Sequence, residues 1–349
     1  MFGFKKTFLL VCFIITLSSA ADVFASGQKE PVDIYSGKTG RITVYVSGPA
    51  TMISKLEKAF EKEHGDVLDL VQMGCGPLRQ RVWMEMEAGQ IKADVFWGSD
   101  PLVYIALDNK GALEAFTPEG IEAVRDEFLT ESSYTLINER YIVVIYNSRK
   151  LIEERIPTSY ADLLDPGLKG SVVQADPSQS STALAIVTGL WDVYGQNGDF
   201  YRDLAANNLF LSKKNSDVPS KIQEGEFDAG IAPHDGVLRL QKKAKKEGYP
   251  TPLAICWPEE GSLVIQRPIA ISRNSARPEV NEQIARSFVN FMISKKAQKI
   301  TTMFGFTSVR KDLPLPDGIP ADLELRRVDW NYLASHEKDI RDSFKALFQ

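Results

Sequence analysis

Hydroxyl-bearing side chains in three loops are the residues of this sequence best suited to hold a ligand. Each loop, at 47–51, 97–101 and 176–182, lies between a predicted strand and a predicted helix. The unpaired N–H groups and positive dipole end of a helix N-terminus suit an anion. Plain N-capping by serine or threonine is the competing interpretation. The candidate side chains are Ser47, Thr51, Ser99, Ser180, Ser181 and Thr182.

A histidine and an aspartate, His234 and Asp235, stand side by side at the end of another predicted strand. An imidazole and a carboxylate can together donate to and accept from neighbouring hydroxyls of a sugar. A turn capped by the aspartate is one alternative. A catalytic dyad is another, but neither a nucleophile elbow nor a metal-binding motif accompanies the pair in the sequence. We therefore predict a binding role and no enzymatic activity.

A tryptophan followed by two carboxylates, Trp257, Glu259 and Glu260, precedes a further predicted strand. An indole can cover the apolar face of a sugar while carboxylates hold its hydroxyls. A purely structural tryptophan explains the same residues equally well, so both interpretations stay open.

Short apolar runs alternate with amphipathic segments along most of the chain. Strands that alternate with helices predict parallel sheets joined by helical crossovers, with ligands at the carboxyl edge of the strands. The run 141–146 is continuously apolar, as expected for a strand covered on both faces. The predicted strands are 42–46, 66–72, 93–97, 141–146, 171–174, 228–232 and 263–271, and the predicted helices are 50–63, 77–89, 181–193, 278–294 and a last one from about residue 337.

The N-terminus has the pattern of a secretory signal peptide. Two lysines precede the apolar run 8–17, which is short for a membrane span, and small residues ending at Ala25 fit a cleavage site. We predict a signal peptide at 1–25, cleaved near Ala25, a flexible tether at 26–40 and a periplasmic mature protein. A cut after Ala20 and an uncleaved membrane anchor are the alternatives.

The balance of charge argues against a nucleic-acid partner. The chain has 41 Lys and Arg against 46 Asp and Glu, a net charge of −5, whereas binding to a phosphate backbone needs an excess of positive charge. The four lysines within 242–246 are the one basic cluster, and we interpret them as a solvated helix face. A docking surface for another protein is the alternative. We expect a monomer.

Two cysteines follow the predicted signal peptide, Cys75 and Cys256. Export to an oxidising compartment permits a disulfide, but the sequence does not fix the distance between the two residues. We predict two buried thiols. The spacing of cysteines and histidines matches no metal site, so we expect neither a metal nor a cofactor.

Five segments carry a resemblance to a known family: ITVY at 42–45, ADVFW at 93–97, LKG at 168–170, GEFDAG at 225–230 and FVNFMISKKAQ at 288–298. Taken together and in this order, they resemble the periplasmic solute-binding proteins of ABC importers, in the iron-type and organophosphate-type family. The resemblance covers nearly all of the chain after the predicted signal peptide.

The resemblance implies an α/β fold with two lobes, the type II periplasmic-binding-protein fold, in which the ligand lies in the cleft between the lobes and a hinge closes them. It implies discontinuous lobes, with lobe 1 at 41–117 and 258–307 and lobe 2 at 118–257 and 308–349. An ABC permease in the inner membrane is the implied partner.

The sequence departs from the ferric-binding members of that family. Where those members carry a tandem tyrosine, this chain has His234 and Asp235, and where they often carry a histidine or a glutamate it has Pro49 and Gly98. Phenolates and carboxylates are the hard oxygen ligands that a ferric ion prefers, and hydroxyl groups cannot replace them. The resemblance therefore favours another ligand over iron.

The same residues resemble the hexose-phosphate-binding branch, in which a histidine, an aspartate and a glutamate hold the sugar hydroxyls. Carried over to this chain, these roles fall to His234, Asp235 and one of Glu259 or Glu260, with Glu259 preferred. The phosphate would bind the hydroxyls and helix N-termini of the three loops.

The predicted function is therefore capture of a hexose phosphate for import by an ABC permease. Arg79 or Arg81 could assist in binding the phosphate. Carriage of ferric ion, a phosphonate or another organophosphate is the alternative within the family. A secreted phosphate-ester hydrolase is the alternative from another class, and it would need a nucleophile or metal motif that the sequence does not contain.

Overall fold

Residues 40–273 and 277–348 are described by the structure, a computed structural model. The predicted signal peptide and the predicted tether up to residue 39 lie outside these residues. In the described part of the chain, no helix is both long enough and apolar enough to cross a membrane.

The strands are rich in β-branched and aromatic residues, which suit a covered sheet. Each strand predicted from the sequence is present, but the run at 141–146 is only the second half of a strand whose first half carries polar residues such as Asn138 and Glu139. The bounds are β1 (Ile42–Val46), β2 (Leu68–Gln72), β3 (Val95–Trp97), β4 (Thr135–Asn147), β5 (Val172–Ala175), β6 (Phe210–Ser212), β7 (Ala229–Pro233), β8 (Leu253–Cys256), β9 (Ser262–Ile271), β10 (Thr307–Ser308) and β11 (Leu325–Arg326).

Most of the longer helices bury one apolar stripe, α4 is buried on all sides, and several helices begin at a capping side chain. The last helix begins at Trp330, earlier than predicted, because Asp329 accepts hydrogen bonds from the N–H groups of Asn331 and Tyr332. The bounds are α1 (Ala50–His64), α2 (Cys75–Glu87), α3 (Pro101–Asn109), α4 (Ser181–Val193), α5 (Asp199–Ala206), α6 (Asp217–Glu224), α7 (His234–Glu247), α8 (Glu279–Ile293), α9 (Lys295–Thr302) and α10 (Trp330–Leu347).

Two antiparallel strands join two groups of parallel strands. β1 pairs in parallel with β2 and β3, and β5 pairs in parallel with β6 and β7. β9 and β4 lie between these groups in the strand order β2-β1-β3-β9-β4-β7-β5-β6. The predicted α/β class is confirmed, and β4 and β9 are the strands that cross between the two halves of the fold.

Separate hydrophobic clusters lie on either side of the crossing strands. Phe60 and Phe288 belong to a cluster that covers β1, whose residues are all buried. Tyr201 and Phe344 belong to a cluster on the other side. Helices on both faces of each parallel group explain why most residues of its strands are apolar. The lobe limits given above are not tested by these clusters and stay a prediction.

The crossing of β4 places charged side chains at the centre of the sheet. Residues up to Tyr141 pair with β9, and residues from Ile142 pair with β7. Arg140 lies one residue before the last pair with β9, and Arg267 lies opposite Asn138 in the pairing of β9 with β4. Two guanidinium groups therefore stand where the two halves of the fold meet.

Gly230 in β7 is expected to be a strict packing constraint. A Cβ atom there would lie 2.3 Å from the backbone oxygen of Val173. We expect Gly230→Ala to lower the free energy of unfolding by roughly 2 kcal/mol, because the backbone of β5 cannot move aside. Urea unfolding followed by circular dichroism measures this loss.

Gly236→Ala is the matched control, because a Cβ atom there would meet no atom closer than 3.7 Å. It should leave the free energy of unfolding within about 1 kcal/mol of the wild type. Equal losses in the two variants would contradict the packing argument.

Candidate functional site

A cleft of about 790 Å³ opens where loops from both halves of the fold meet beside the crossing strands. The loops that follow β1, β2, β3, β5 and β6 contribute to its walls, together with the first turn of α7. Its size lies within the range of roughly 300–1,000 Å³ that is usual for small-molecule sites. The carboxyl ends of parallel strands thus meet at one cavity, as the alternation of strands and helices predicted.

Four of the hydroxyl residues identified in the sequence line this cleft: Ser47, Ser99, Ser180 and Thr182. Thr182 Oγ1 donates to the backbone oxygen of Ser99 at 3.3 Å, so the loops after β5 and β3 touch. Ser180 caps α4, because its Oγ accepts from the N–H of Ala183 at 3.3 Å. The hydroxyls therefore serve the fold and also face the cavity.

Three other candidates lie outside the lining of this cleft. Thr51 is exposed on the first turn of α1, and Glu259 is exposed, with its N–H donating to the backbone oxygen of Thr158 at 2.9 Å. Ser181 is buried and lines a neighbouring cavity that α2, α4 and α10 enclose, because successive residues of a helix point in different directions. Their role as ligand contacts stays a prediction.

His234 is fully buried, and both of its ring nitrogens are bonded to backbone groups. Nδ1 accepts from the N–H of Tyr141 at 2.9 Å, and Nε2 lies 2.8 Å from the backbone oxygen of Gly305, to which it donates in the matching tautomer. Burial lowers the pKa of His234, so the neutral ring is favoured. The ring ties the start of α7 to β4 and to the segment after α9, and it does not line the cleft in this conformation.

Asp235 is also fully buried and is held by two arginines. Its Oδ1 accepts from Arg140 Nε at 2.7 Å, and its Oδ2 accepts from Arg140 Nη2 at 3.1 Å and from Arg239 Nη1 at 2.5 Å. Burial alone would raise the pKa of Asp235, but the two guanidinium groups hold it far below the usual range. Asp235 is therefore the counter-ion of two arginines that line the cleft, and its predicted contact with a sugar hydroxyl stays a prediction.

Arg267 is the most unusual residue of the cleft wall, because it is fully buried and has no ion pair with any described carboxylate. Its guanidinium donates to Ser99 Oγ at 2.5 Å, to the backbone oxygen of Ser47 at 3.1 Å and to Asn138 Oδ1 at 3.4 Å. It also stacks over Phe306, with 4.3 Å between the guanidinium carbon and the ring centroid. Burial, and then the charge of Arg140, lowers the pKa of Arg267 to about 10.

Positive charge dominates the described lining of the cleft. Asp235 offsets the charge of one of its two arginine partners, which leaves four positive charges in excess: one of that pair, Arg267, Lys213 and Lys214. None of the described lining residues is an aspartate, glutamate, histidine or tyrosine. The cationic lining residues are Arg140, Lys213, Lys214, Arg239 and Arg267.

The two arginines suggested from the sequence as phosphate contacts have other partners. Arg79 pairs with Asp100 at 3.0 Å and with Glu337, and it lines the neighbouring cavity. Arg81 pairs with Glu85 at 2.8 Å. Neither Arg79 nor Arg81 lines this cleft, because carboxylates on α2, α10 and the loop after β3 hold them, and their contact with a phosphate stays a prediction.

The cysteines are both free, and only one of them is buried. Cys256 is buried as predicted, and burial raises its pKa to about 12. Cys75 is half-buried and lines the cleft, with its Sγ 2.6 Å from Ser47 Oγ, so the prediction that it is buried is wrong. Its place at the start of α2 explains the exposure, because the first turn of that helix faces the cavity.

Sequence reasoning missed the arginines and lysines of the cleft. One signal was available for Arg267, which is a single cation inside the apolar run 263–271. Arg140 had a weaker signal, because it stands at the start of the run 141–146. Nothing in the local sequence relates Arg239 to either of them, since Asp235 brings these residues together only in the fold.

Comparison with known proteins identifies relatives of this chain. The family of bacterial extracellular solute-binding proteins matches residues 91–336. The thiamine-binding periplasmic protein of Salmonella typhimurium is 26% identical over 276 residues, which cover 78% of each chain.

Solved structures resemble this fold over almost their whole length. Iron-bound HitA from Pseudomonas aeruginosa has a TM-score of 0.75 at 23% identity, and the match covers 87% of this chain and 99% of that one. AfuA from Actinobacillus pleuropneumoniae, solved with fructose 6-phosphate, has a TM-score of 0.76 at 21% identity, with 89% and 99% covered. The predicted two-lobed type II fold is confirmed by this likeness.

The low pKa of Asp235 predicts an acid-dependent contribution to stability. Asp235→Asn should lower the free energy of unfolding at pH 7 by about 3 kcal/mol, because it leaves Arg140 and Arg239 without their carboxylate. This advantage of the wild type is present above the unfolded-state pKa of about 4 and is lost as the pH falls towards the lower folded-state pKa. Urea unfolding should show the difference between the two proteins shrinking from about pH 4 to pH 2.

Asp126→Asn is the control, since Asp126 forms an exposed pair with Lys311. That variant should differ little from the wild type in the same measurements. A difference between wild type and Asp235→Asn that stays constant down to pH 2 would contradict the assigned ion pairs.

Proposed function

Because this chain belongs to the family of bacterial extracellular solute-binding proteins, we propose that it captures a small phosphorylated molecule, a hexose phosphate, for import. Family members are non-enzymatic solute-binding components of ABC transporters. The ligand would lie in the cleft between the two halves of the fold. The permease partner and the periplasmic location of the mature chain are part of the same proposal.

The observation that carries the proposal is the buried charge of Arg267. Burial of a guanidinium away from water is unfavourable by several kcal/mol unless a nearby negative charge compensates it. Neutral oxygens orient Arg267 but do not offset its charge. Three of its five N–H groups are bonded within the described residues, which leaves two for a ligand. An anion in the cleft would supply the missing negative charge.

A phosphate fits the donors that surround this charge. Ser47, Ser99, Ser180 and Thr182 bring hydroxyls to the lining, and α4 presents its N-terminus there. Hydrogen bonds from a guanidinium to phosphate are among the stronger kind, and a helix N-terminus favours the same charge. The cleft volume of about 790 Å³ has room for a polyhydroxylated body beside the phosphate.

The proposed roles of His234 and Asp235 are refined by their contacts. Direct contact with sugar hydroxyls would require both to give up bonds that they make in this conformation. The geometry supports an indirect role better: Asp235 fixes the two arginines, and His234 fixes the segment that carries Phe306. Glu259 is exposed and does not line the cleft, so its contact with a ligand stays part of the proposal only.

Relatives bind different solutes, and the charge of the cleft is the basis for choosing among them. A thiamine-binding protein and an iron-bound protein are both similar to this chain. Thiamine and ferric ion are cations, which guanidinium groups would repel. The lining of this cleft therefore favours an anion, and the relative solved with fructose 6-phosphate is an example of such a ligand.

Calorimetric titration of the purified protein tests the ligand class. Glucose 6-phosphate and fructose 6-phosphate should bind with a Kd of about 1 μM or below, while glucose should not bind measurably. Inorganic phosphate should bind more weakly than the esters. Tight binding of thiamine or of ferric nitrilotriacetate, with none of the esters bound, would contradict the proposal.

Replacement of Arg267 separates ligand binding from folding. Arg267→Gln should weaken ester binding by about 100-fold or more, because a charge-assisted interaction with phosphate is lost. Its free energy of unfolding without ligand should stay equal to that of the wild type or rise, because an uncompensated buried charge is removed.

Arg277→Gln is the matched control, because the Arg277 side chain is also almost fully buried but pairs with Asp94 at 2.9 Å and with Glu114 at 3.4 Å. This variant should lose about 3 kcal/mol of stability and keep the affinity of the wild type for the esters. The opposite pattern in the two variants would show that Arg267 serves the fold and not the ligand.

A further inference from the structure

Four lysines of α7 have no acidic partner among the described residues. Lys242, Lys243, Lys245 and Lys246 are all exposed. Other exposed lysines do form ion pairs, such as Lys296 with Glu63 at 2.6 Å. The four positive charges on this helix are therefore left to solvent or to a partner.

Three of these lysines line a groove, which we call the basic groove. It has a volume of about 640 Å³ and lies between α7 and the turns at 302–305 and 316–318. Lys242, Lys245 and Lys246 lie on the α7 side. Apolar residues form much of the rest, and the Met303 side of the groove is open, since 56% of that residue is exposed.

Local helix energetics explain only part of this arrangement. Lysines in the last turn of a helix are stabilised by the negative end of its dipole, which accounts for Lys245 and Lys246. Lys242 lies outside that turn, and the dipole does not account for an exposed methionine opposite the lysines. The interpretation from the sequence, a solvated helix face, explains neither the position of Lys242 nor the exposed Met303.

We infer that the basic groove binds an acidic segment of a protein partner, with an apolar side chain of that segment against Met303. Three unpaired lysines face one acidic lining residue, Asp317, so the complementary surface must be negative. A concave groove fits an extended segment, whereas a planar lipid surface would meet only its rims. Exposed apolar surface rimmed by charge is typical of protein interaction sites.

The basic groove and the ligand cleft share one residue. Arg239 lines both, and its Nη1 group bonds both Asp235 and, at 3.3 Å, the backbone oxygen of Phe304. A segment bound in the groove would therefore lie against a residue of the cleft wall. The inference holds whichever solute the cleft accepts.

Fluorescence anisotropy with a labelled probe peptide, Glu-Glu-Glu-Leu-Leu-Glu-Glu-Glu, tests the groove on the full mature chain. Lys242→Gln combined with Lys245→Gln should weaken binding of this peptide at least about tenfold, because two ion pairs are lost. Met303→Ser should weaken it by a smaller factor. Replacement of both leucines of the peptide by serine should have the same effect as Met303→Ser.

The control is Lys55→Gln combined with Lys58→Gln on α1, which removes two exposed and unpaired lysines at the same spacing. This pair should change the affinity less than twofold. Equal losses in the two double variants would overturn the inference, because they would indicate charge attraction without a site.

A second binding experiment uses vesicles of phosphatidylglycerol in place of the peptide. The wild type should bind them weakly, with no difference between the two double variants. Vesicle binding that depends on Lys242 and Lys245, with no binding of the peptide, would also overturn the inference in favour of a lipid surface. Unchanged melting temperatures confirm that the lysine variants are folded.

Discussion

The buried positive charge of Arg267 is the constraint on which the rest of the site depends. A guanidinium in the middle of a sheet needs partners, and here these are oxygens of Ser47, Ser99 and Asn138 and the ring of Phe306. Those partners are uncharged, so they orient the guanidinium of Arg267 but do not neutralise its charge. The loops after β1 and β3 are therefore held by the same guanidinium that we propose as the partner of the ligand, so one residue contributes to both the shape and the charge of the cleft.

Asp235 and His234 organise the opposite wall without lining it. Asp235 holds Arg140, from the crossing strand β4, and Arg239, from α7, on one carboxylate. His234 binds the backbone of β4 and of the segment after α9, and that segment carries Phe306. Arg140 and Arg267 both lie over the ring of Phe306. In this conformation the pair supports a cationic wall, and its direct contact with a ligand stays a prediction.

The sequence predicted the elements of the fold better than the chemistry of the cleft. Periodicity identified β1, α1 and α4 because their apolar spacing is set by local burial, and the loop order placed Ser47, Ser99 and Ser180 at one edge. The charges of Arg140, Arg239 and Arg267 meet only through pairings between distant strands and helices, which no local pattern encodes. The first half of β4 was not predicted because it carries polar residues. The start of α10 was predicted too late because the Asp329 cap, and not apolar spacing, determines it. The features that the sequence predicted are set by local patterns, whereas the cationic residues that it missed come together only through tertiary contacts.

The measurement that tests this account most directly is a crystal structure of the protein with glucose 6-phosphate bound. The account predicts a phosphate oxygen within hydrogen-bonding distance of the Arg267 guanidinium, with the Asp235 pairs to Arg140 and Arg239 intact. A phosphate bound elsewhere, with Arg267 contacting only protein atoms, would contradict it.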